Sequence, residues 1–459
     1  MKMKNLSLIV ITIVVTICGC KKQDEFLNKK PNQSFSTITT IADINNLLNN
    51  QQYFNENLAP CWGQDFSDDQ YLPAGGEQNL YATFSIPEYK FAKDIFTIND
   101  TDYGWNFSYQ TVYIANTVLD ALPNIKGTSD ELNKAKGTAL FCRAYAFYDL
   151  VQTYAMPYDS LISKNELGIP LRTTSDLNVK SVRANEQDCY AQIISDLKTA
   201  LSLLPTNSQT VTLPSKLSVN ALLARIYFEM GSYNQAYNFA NSALSINGNL
   251  TDFNKLNIQD YYISSPDQFP FNEVIYLKSL ASLELDGFAS VVADSTLYAS
   301  YENNDIRKNA FFTTYYDVLP HFRGSYDFKR GSIFCGLATD EMYLIRAESS
   351  VRMGNISQGM ADLNKLLVNR YRTGTFVGRT AASATDALNQ IMLERRKELY
   401  SRGIRWLDLR RLNKDPNTAV TLVHVLAGVR YTLPPNDPRY AMQIPPIEIQ
   451  FSGIQQNPR

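Results

Sequence analysis

The feature that most constrains this chain is a spacing that occurs twice. Ala224, Gly231 and Ala236 stand seven and then five residues apart, and Ala347, Gly354 and Gly359 repeat that spacing. Two antiparallel helices can approach closely only where small side chains face each other, and a glycine between them supplies the turn. The spacing therefore predicts helix hairpins over Val219–Ile246 and Glu341–Arg370. Because Gly354 follows Gly231 by 123 residues, the repeats cannot form an uninterrupted short-period array, and long insertions must lie between them.

The first hairpin, with Leu223, Tyr227, Tyr233 and Ala243 around its small residues, resembles a tetratricopeptide unit. Other segments fit the same plan. Leu140, Ala144, Phe147, Tyr148 and Val151 recur at three- and four-residue steps between Lys136 and Tyr154, which makes one helical face apolar. A further helix is expected over Gln187–Leu204, stopped by Pro205, with Ile194, Leu197, Leu201 and Leu204 in register. Asp386–Tyr400 and Ile404–Leu412 around Gly403 read as a last helical pair. The tail from Tyr440 to Arg459, with Pro445, Pro446 and Pro458, is expected to be extended.

At the amino terminus, Lys2 and Lys4 precede a largely apolar run, Leu6 to Ile17, that is too short to span a bilayer as a helix. Cys18-Gly19-Cys20 and a polar stretch follow. Residues 1–19 are expected to be a signal peptide, with Cys20 taking lipid as the mature first residue, and residues 20–40 a lipidated tether. Cys61, Cys142, Cys189 and Cys335 remain, without Cys-x-x-Cys spacing, and are read as buried thiols; an oxidising compartment permits one disulfide.

Charge and composition narrow the function. The net charge of −2 gives no field for nucleic acid. Two histidines, His321 and His424, among 459 residues disfavour proton shuttling and histidine metal sites. Phosphate, dinucleotide, hydrolase-elbow and zinc-protease signatures are absent. Asp100-Thr101-Asp102-Tyr103-Gly104 spaces its carboxylates like a calcium loop but lacks the closing glutamate, and loop-capping aspartates are the better reading. No metal, cofactor or catalytic residue is assigned, and the chain is expected not to be an enzyme.

Aromatic residues are instead concentrated. Tyr53 to Tyr113 holds 15 of them and Tyr298 to Phe334 holds 10. Aromatic rings accept the flat C–H face of a sugar while nearby polar groups take its hydroxyls. Trp62, Asp68, Asp69, Tyr71, Asn79, Tyr81 and Tyr89, with Asp65, supply that mixture from the first window. Tyr301, Tyr315, Tyr316, His321, Arg323 and Tyr326 supply it from the second, so a ligand surface is expected where the windows meet. Trp105, Tyr109 and Tyr113, four residues apart, read as the packed face of a helix.

Glu394-Arg395-Arg396-Lys397-Glu398-Leu399 followed by Gly403-Ile404-Arg405-Trp406-Leu407-Asp408-Leu409-Arg410-Arg411 is similar to the carboxy-terminal hallmark of the SusD/RagB-like outer-membrane nutrient-binding lipoproteins of Gram-negative bacteria. Glu341 to Glu348, Ile444 to Ile449 and Phe26-Leu27 agree with that resemblance in order. It implies a mainly α fold of about four split tetratricopeptide-like hairpin pairs, whose long irregular insertions form a binding face. Residues 41–250 would be the amino-terminal region and 251–459 the carboxy-terminal one. It also implies a TonB-dependent, SusC-like outer-membrane transporter as partner, and a lipid-anchored, surface-exposed place on the cell outer membrane. Glu394, Arg395, Glu398, Gly403, Arg405, Trp406, Asp408 and Arg410 would be structural. The expected function is oligosaccharide capture and delivery without chemistry. Peptide capture is the alternative, because RagB-like members handle peptides, and a surface glycoside hydrolase is a further one, because sequence does not give carboxylate separations.

Overall fold

The computed structural model describes residues 38–80, 84–256, 258, 272–281, 291–314, 318–324, 326 and 333–459. Cys20 and the expected signal and most of the tether lie outside them. Among the described residues, ten helices have eight or more residues: α1 Ile41–Leu48, α2 Tyr103–Ala121, α3 Ser129–Tyr154, α4 Glu186–Leu203, α5 Lys216–Glu229, α6 Tyr233–Ile246, α7 Thr339–Arg352, α8 Ile356–Leu367, α9 Ala384–Glu398 and α10 Ile404–Leu412. None is long and apolar enough to cross a membrane.

The doubled spacing forms what it predicts. Gly231 and Gly354 turn the two hairpins at φ +74° and +90°, a region that favours glycine. Ala224, Ala236 and Ala347 are fully buried. At Gly359 a Cβ would lie 2.8 Å from the Ala347 carbonyl oxygen and 2.4 Å from Val351 Cγ2, so only glycine fits without movement. The hairpins are distant in sequence but adjacent in space, because α6 packs directly on α7. Helices α2 to α8 pack each on the next, with α9 also against α7. The long insertion between α6 and α7 leaves this array and returns to it.

Local chemistry sets the ends. Thr128 and Glu131 form a reciprocal capping box at the start of α3, and Asn185 caps α4 by accepting from Asp188 N–H, satisfying donors that no helical carbonyl reaches. The single apolar face expected on α3 is an underestimate: from Thr138 to Tyr148 every residue is buried, because α2 and α4 cover it from both sides. On α4 Leu197 and Leu204 are buried as expected, whereas Ile194 and Leu201 are only partly buried and the rest of the buried row runs through Cys189, Ile193 and Ala200.

The tail is not wholly extended. Pro446–Ser452 is a short helix with Pro446 in its first turn, where a missing N–H costs nothing and the ring presets φ. A hairpin, Leu422–Leu426 with Val429–Leu433, was not expected. Burial alternates along Leu422–Leu426, with His424 inside and Val423 and Val425 outside, so no hydropathy alternation marked it; a two-residue Ala427-Gly428 turn with both φ positive closes it, the geometry that matches strand twist. The four cysteines are free and buried, with no disulfide among them.

Candidate functional site

The two aromatic windows meet. Gln70–Tyr71 pairs antiparallel with Val292–Ala293, Asp294 N–H donates to the Asp69 carbonyl at 2.7 Å, and Ala293 N–H to that of Pro320 at 2.9 Å. Phe312–Thr313 pairs with His321–Phe322 beside them.

Most of the expected ligand residues hold this junction together from inside. Trp62, Asp69, Tyr89, Tyr301, His321 and Tyr326 are each no more than 2% exposed, so they offer no face to an oligosaccharide. Tyrosine and tryptophan tolerate burial when the polar tip finds a partner, and here each does. The Trp62 indole N–H reaches Asp102 at 3.2 Å. Tyr89 Oη accepts from Leu72 N–H at 3.0 Å while its ring stacks on His424 at 4.3 Å. Tyr301 Oη donates to the Lys397 carbonyl at 2.7 Å, and Tyr326 Oη to Asp340 at 2.8 Å. His321 Nδ1 lies 3.0 Å from the Val291 carbonyl oxygen. Arg323 spans to the Ile258 and Asn309 carbonyls at 3.1 Å each. The reading of these residues as an open aromatic platform is corrected accordingly: Asp68, Tyr71 and Arg323 remain partly exposed, while Tyr81, Tyr315, Tyr316 and the Asn79 side chain lie outside the described positions.

Asp102 settles the calcium-like segment. It caps α2 through Trp105 N–H and accepts from Trp62 and from Tyr154 Oη at 2.5 Å. Burial pushes its carboxyl up, against those hydrogen bonds. Among the described residues no cluster of His, Cys, Asp or Glu is arranged to hold a metal.

Below the junction lies the carboxy-terminal motif. Arg405 grips Asp68 with two hydrogen bonds of 2.7 and 2.9 Å, and Arg396 takes Asp69 Oδ1 at 2.7 Å and the Asp68 carbonyl at 2.7 Å. Burial opposes charge on Asp68, but Arg405 and Arg396 outweigh it and hold the carboxyl down at about 2; on Asp69 burial prevails and raises it. Two arginines thus fasten the first window to α9 and α10.

Deeper still the motif is ionic. Arg307 reaches Asp305, Glu394 and Glu398 at 2.7, 2.6 and 2.9 Å, and Arg370 reaches Glu398 and Glu273 at 2.7 and 3.0 Å, all of them fully buried. Arg395 and Arg411 share Asp408, and Arg411 continues to Glu348. Arg410 donates to the Tyr440 and Ala155 carbonyls. Trp406 is 5% exposed and stacks on Tyr440 at 4.6 Å and on Phe66 at 5.5 Å. Gly403, at φ +68°, starts α10 and donates to Gln64. Within this motif only Lys397–Glu394 and Arg411–Asp408 pair across a helix turn. The partners that sequence reasoning missed are Arg307 and Arg370, with Glu273 behind Arg370; no local pattern marks them, because they come from other segments of the chain.

Comparison with known proteins places this architecture. A family model described as "Starch-binding associating with outer membrane" matches residues 25–228, and one described as "SusD family" matches residues 339–458. SusD-like protein P38 of Formosa agariphila is 21% identical, over 77% of this chain and 79% of its own. SusD-like protein P2 of the same organism is 24% identical over 51% of this chain, a match that spans only 45% of P2. A SusD superfamily protein from Bacteroides vulgatus superposes with TM-score 0.73 at 20% identity, covering 92% of this chain and 99% of its own. A SusD-like carbohydrate binding protein from the same species gives 0.68 at 19% identity, over 91% and 97%. With both halves matched by models of one family and the helical fold shared along nearly its whole length, the chain belongs to the SusD/RagB-like family.

Proposed function

We propose that this protein is a non-catalytic lipoprotein of the outer-membrane surface that binds oligosaccharide and passes it to a TonB-dependent, SusC-like transporter. The observation that carries the reading is the family match, whose amino-terminal model is described as starch-binding and associated with the outer membrane. The structure supplies support of a second kind: loops from two distant windows fastened to one rigid helical body, with Asp68, Tyr71 and Arg323 partly exposed where they meet. Non-catalytic capture needs such a held surface and no titrating acid–base pair.

Binding of the purified chain to parallel glycan and peptide panels tests the cargo. Glycan binding weakened by Tyr71→Ala is expected, whereas binding to peptides alone would replace the proposal with peptide capture. Turnover of a bound glycan, abolished by one carboxylate substitution, would make the protein a hydrolase. Cys20 is the proposed lipid attachment point. A Cys20→Ala protein should lose lipid labelling and leave the membrane fraction; retention of both would refute the anchor. Delivery predicts co-purification with a TonB-dependent barrel in mild detergent.

A further inference from the structure

A groove of about 440 Å³ lies between one face of α2 and the loop that follows strand Leu167–Pro170. That volume is in the range of small-ligand sites. Its walls are fixed. Asn116 Nδ2 donates to the Arg172 and Thr174 carbonyls at 2.7 and 3.2 Å. Arg143, paired with Asp196, holds Asn116 Oδ1 at 2.9 Å. Asp120 accepts from both the backbone N–H and the hydroxyl of Ser175 at 2.8 Å. Tyr109 Oη is tied to the Pro170 carbonyl at 2.9 Å, which sets its ring.

Within these walls α2 presents two rows of side chains, each spaced by one helical turn. Tyr109 and Tyr113 are partly buried, while Asn106 and Gln110 are exposed. Glu448, on the carboxy-terminal helix, faces them across the groove. The carboxamides of Asn106 and Gln110, the Tyr113 hydroxyl and the Glu448 carboxylate have no hydrogen-bond partner among the described residues, and so remain available to a ligand.

We infer that this groove is a second binding site, and that its ligand is a neutral oligosaccharide. The inference rests on the glycan reading above and adds a place for it. Rings with adjacent carboxamides suit a ligand having an apolar C–H face and hydroxyl edges. Charge favours no anionic class. Arg172 turns its guanidinium onto its own loop, at the Asp176 and Val179 carbonyls and Ser181 Oγ, which occupies most of its donors, and its positive charge is offset in the lining by the Glu448 carboxylate. A peptide bound by strand addition needs a free edge, whereas Pro170 has no N–H and its carbonyl is taken by Tyr109.

The test is calorimetric titration of the full chain with maltoheptaose, cellohexaose and mannohexaose. Tyr113→Ala and Gln110→Ala, both partly or fully exposed positions, should weaken one binding event at least tenfold with the unfolding temperature unchanged, and Glu448→Gln should weaken it several-fold. If a sugar binds and all three variants match the parent in affinity and stoichiometry, the groove assignment is wrong and the capture proposal stands. If none of these or any other neutral glycan binds the parent chain, both fall.

Discussion

Where α7 meets α8 the chain closes on itself through an absent side chain, Gly359 against Ala347; where α9 meets the insertion, it closes through fully buried charges around Arg307 and Arg370. Both contacts are buried and tight, yet they fail differently. A small-residue seam is stabilised by dispersion and the removal of apolar surface, so it tolerates pH and suffers from added volume. A buried ion network must repay the desolvation of every charge, and removing one member strands the rest. The seam joins elements that the sequence already places side by side, whereas the network fixes an insertion that could otherwise dock in many ways.

That contrast can be broken at its strongest point first. Arg307→Ala leaves Asp305, Glu394 and Glu398 without their shared partner, and should cost about 3–5 kcal/mol, measured by denaturant unfolding; a loss under 1 kcal/mol would mean that the network is dispensable.

Next comes pH. Glu186 at the start of α4 is fully buried, and burial pushes its carboxyl from 4.5 to about 7, against the pull of Arg410 and Lys414. Between those values the unfolded chain has released the proton and the folded one retains it, so this group makes stability fall as pH rises, then level off above about 7. At about 1.4 kcal/mol per unit, Glu186→Gln should gain on the parent by up to about 3 kcal/mol between pH 4.5 and 7. A parallel pair of stability curves would contradict this.

The seam predicts a smaller, pH-independent loss. Gly359→Ala forces a Cβ against the Ala347 carbonyl and should cost about 1–3 kcal/mol, equally at pH 5 and 8. Smallest of all, Tyr113→Ala lies outside both regions and should change stability by no more than about 0.5 kcal/mol, so that its effect on sugar affinity reads binding alone.

How far the sequence reached follows the same division. Hairpins α5–α6 and α7–α8 were legible because period, cap and turn are local properties, and α9–α10 because Gly403 separates two recognisable runs. The aromatic windows were legible as concentrations of rings, and their meeting was expected. Their exposure was not legible, because an aromatic residue that will stack on a sugar and one that will fill the underside of a loop look alike until neighbours are known. Tyr301 and Tyr326 are the instructive cases: each hydroxyl finds its partner on another element, the Lys397 carbonyl on α9 and Asp340 on α7. Of the helix face read as packed, Trp105 is buried and Tyr109 packs beside it, yet Tyr109 and Tyr113 also line the groove, since only the docking of the Pro170–Ser181 loop shows which side of α2 is left open.

By itself, then, the sequence determined most of the long helices, the two small-residue seams, the family resemblance and the need for long insertions between the hairpins. Tertiary structure alone decided that the two distant hairpins are neighbours, that Arg307 and Arg370 complete the motif, and which aromatics are core. The physical reason is that helical period and turn chemistry act over a few residues, whereas burial and charge pairing are properties of surfaces brought together from far along the chain.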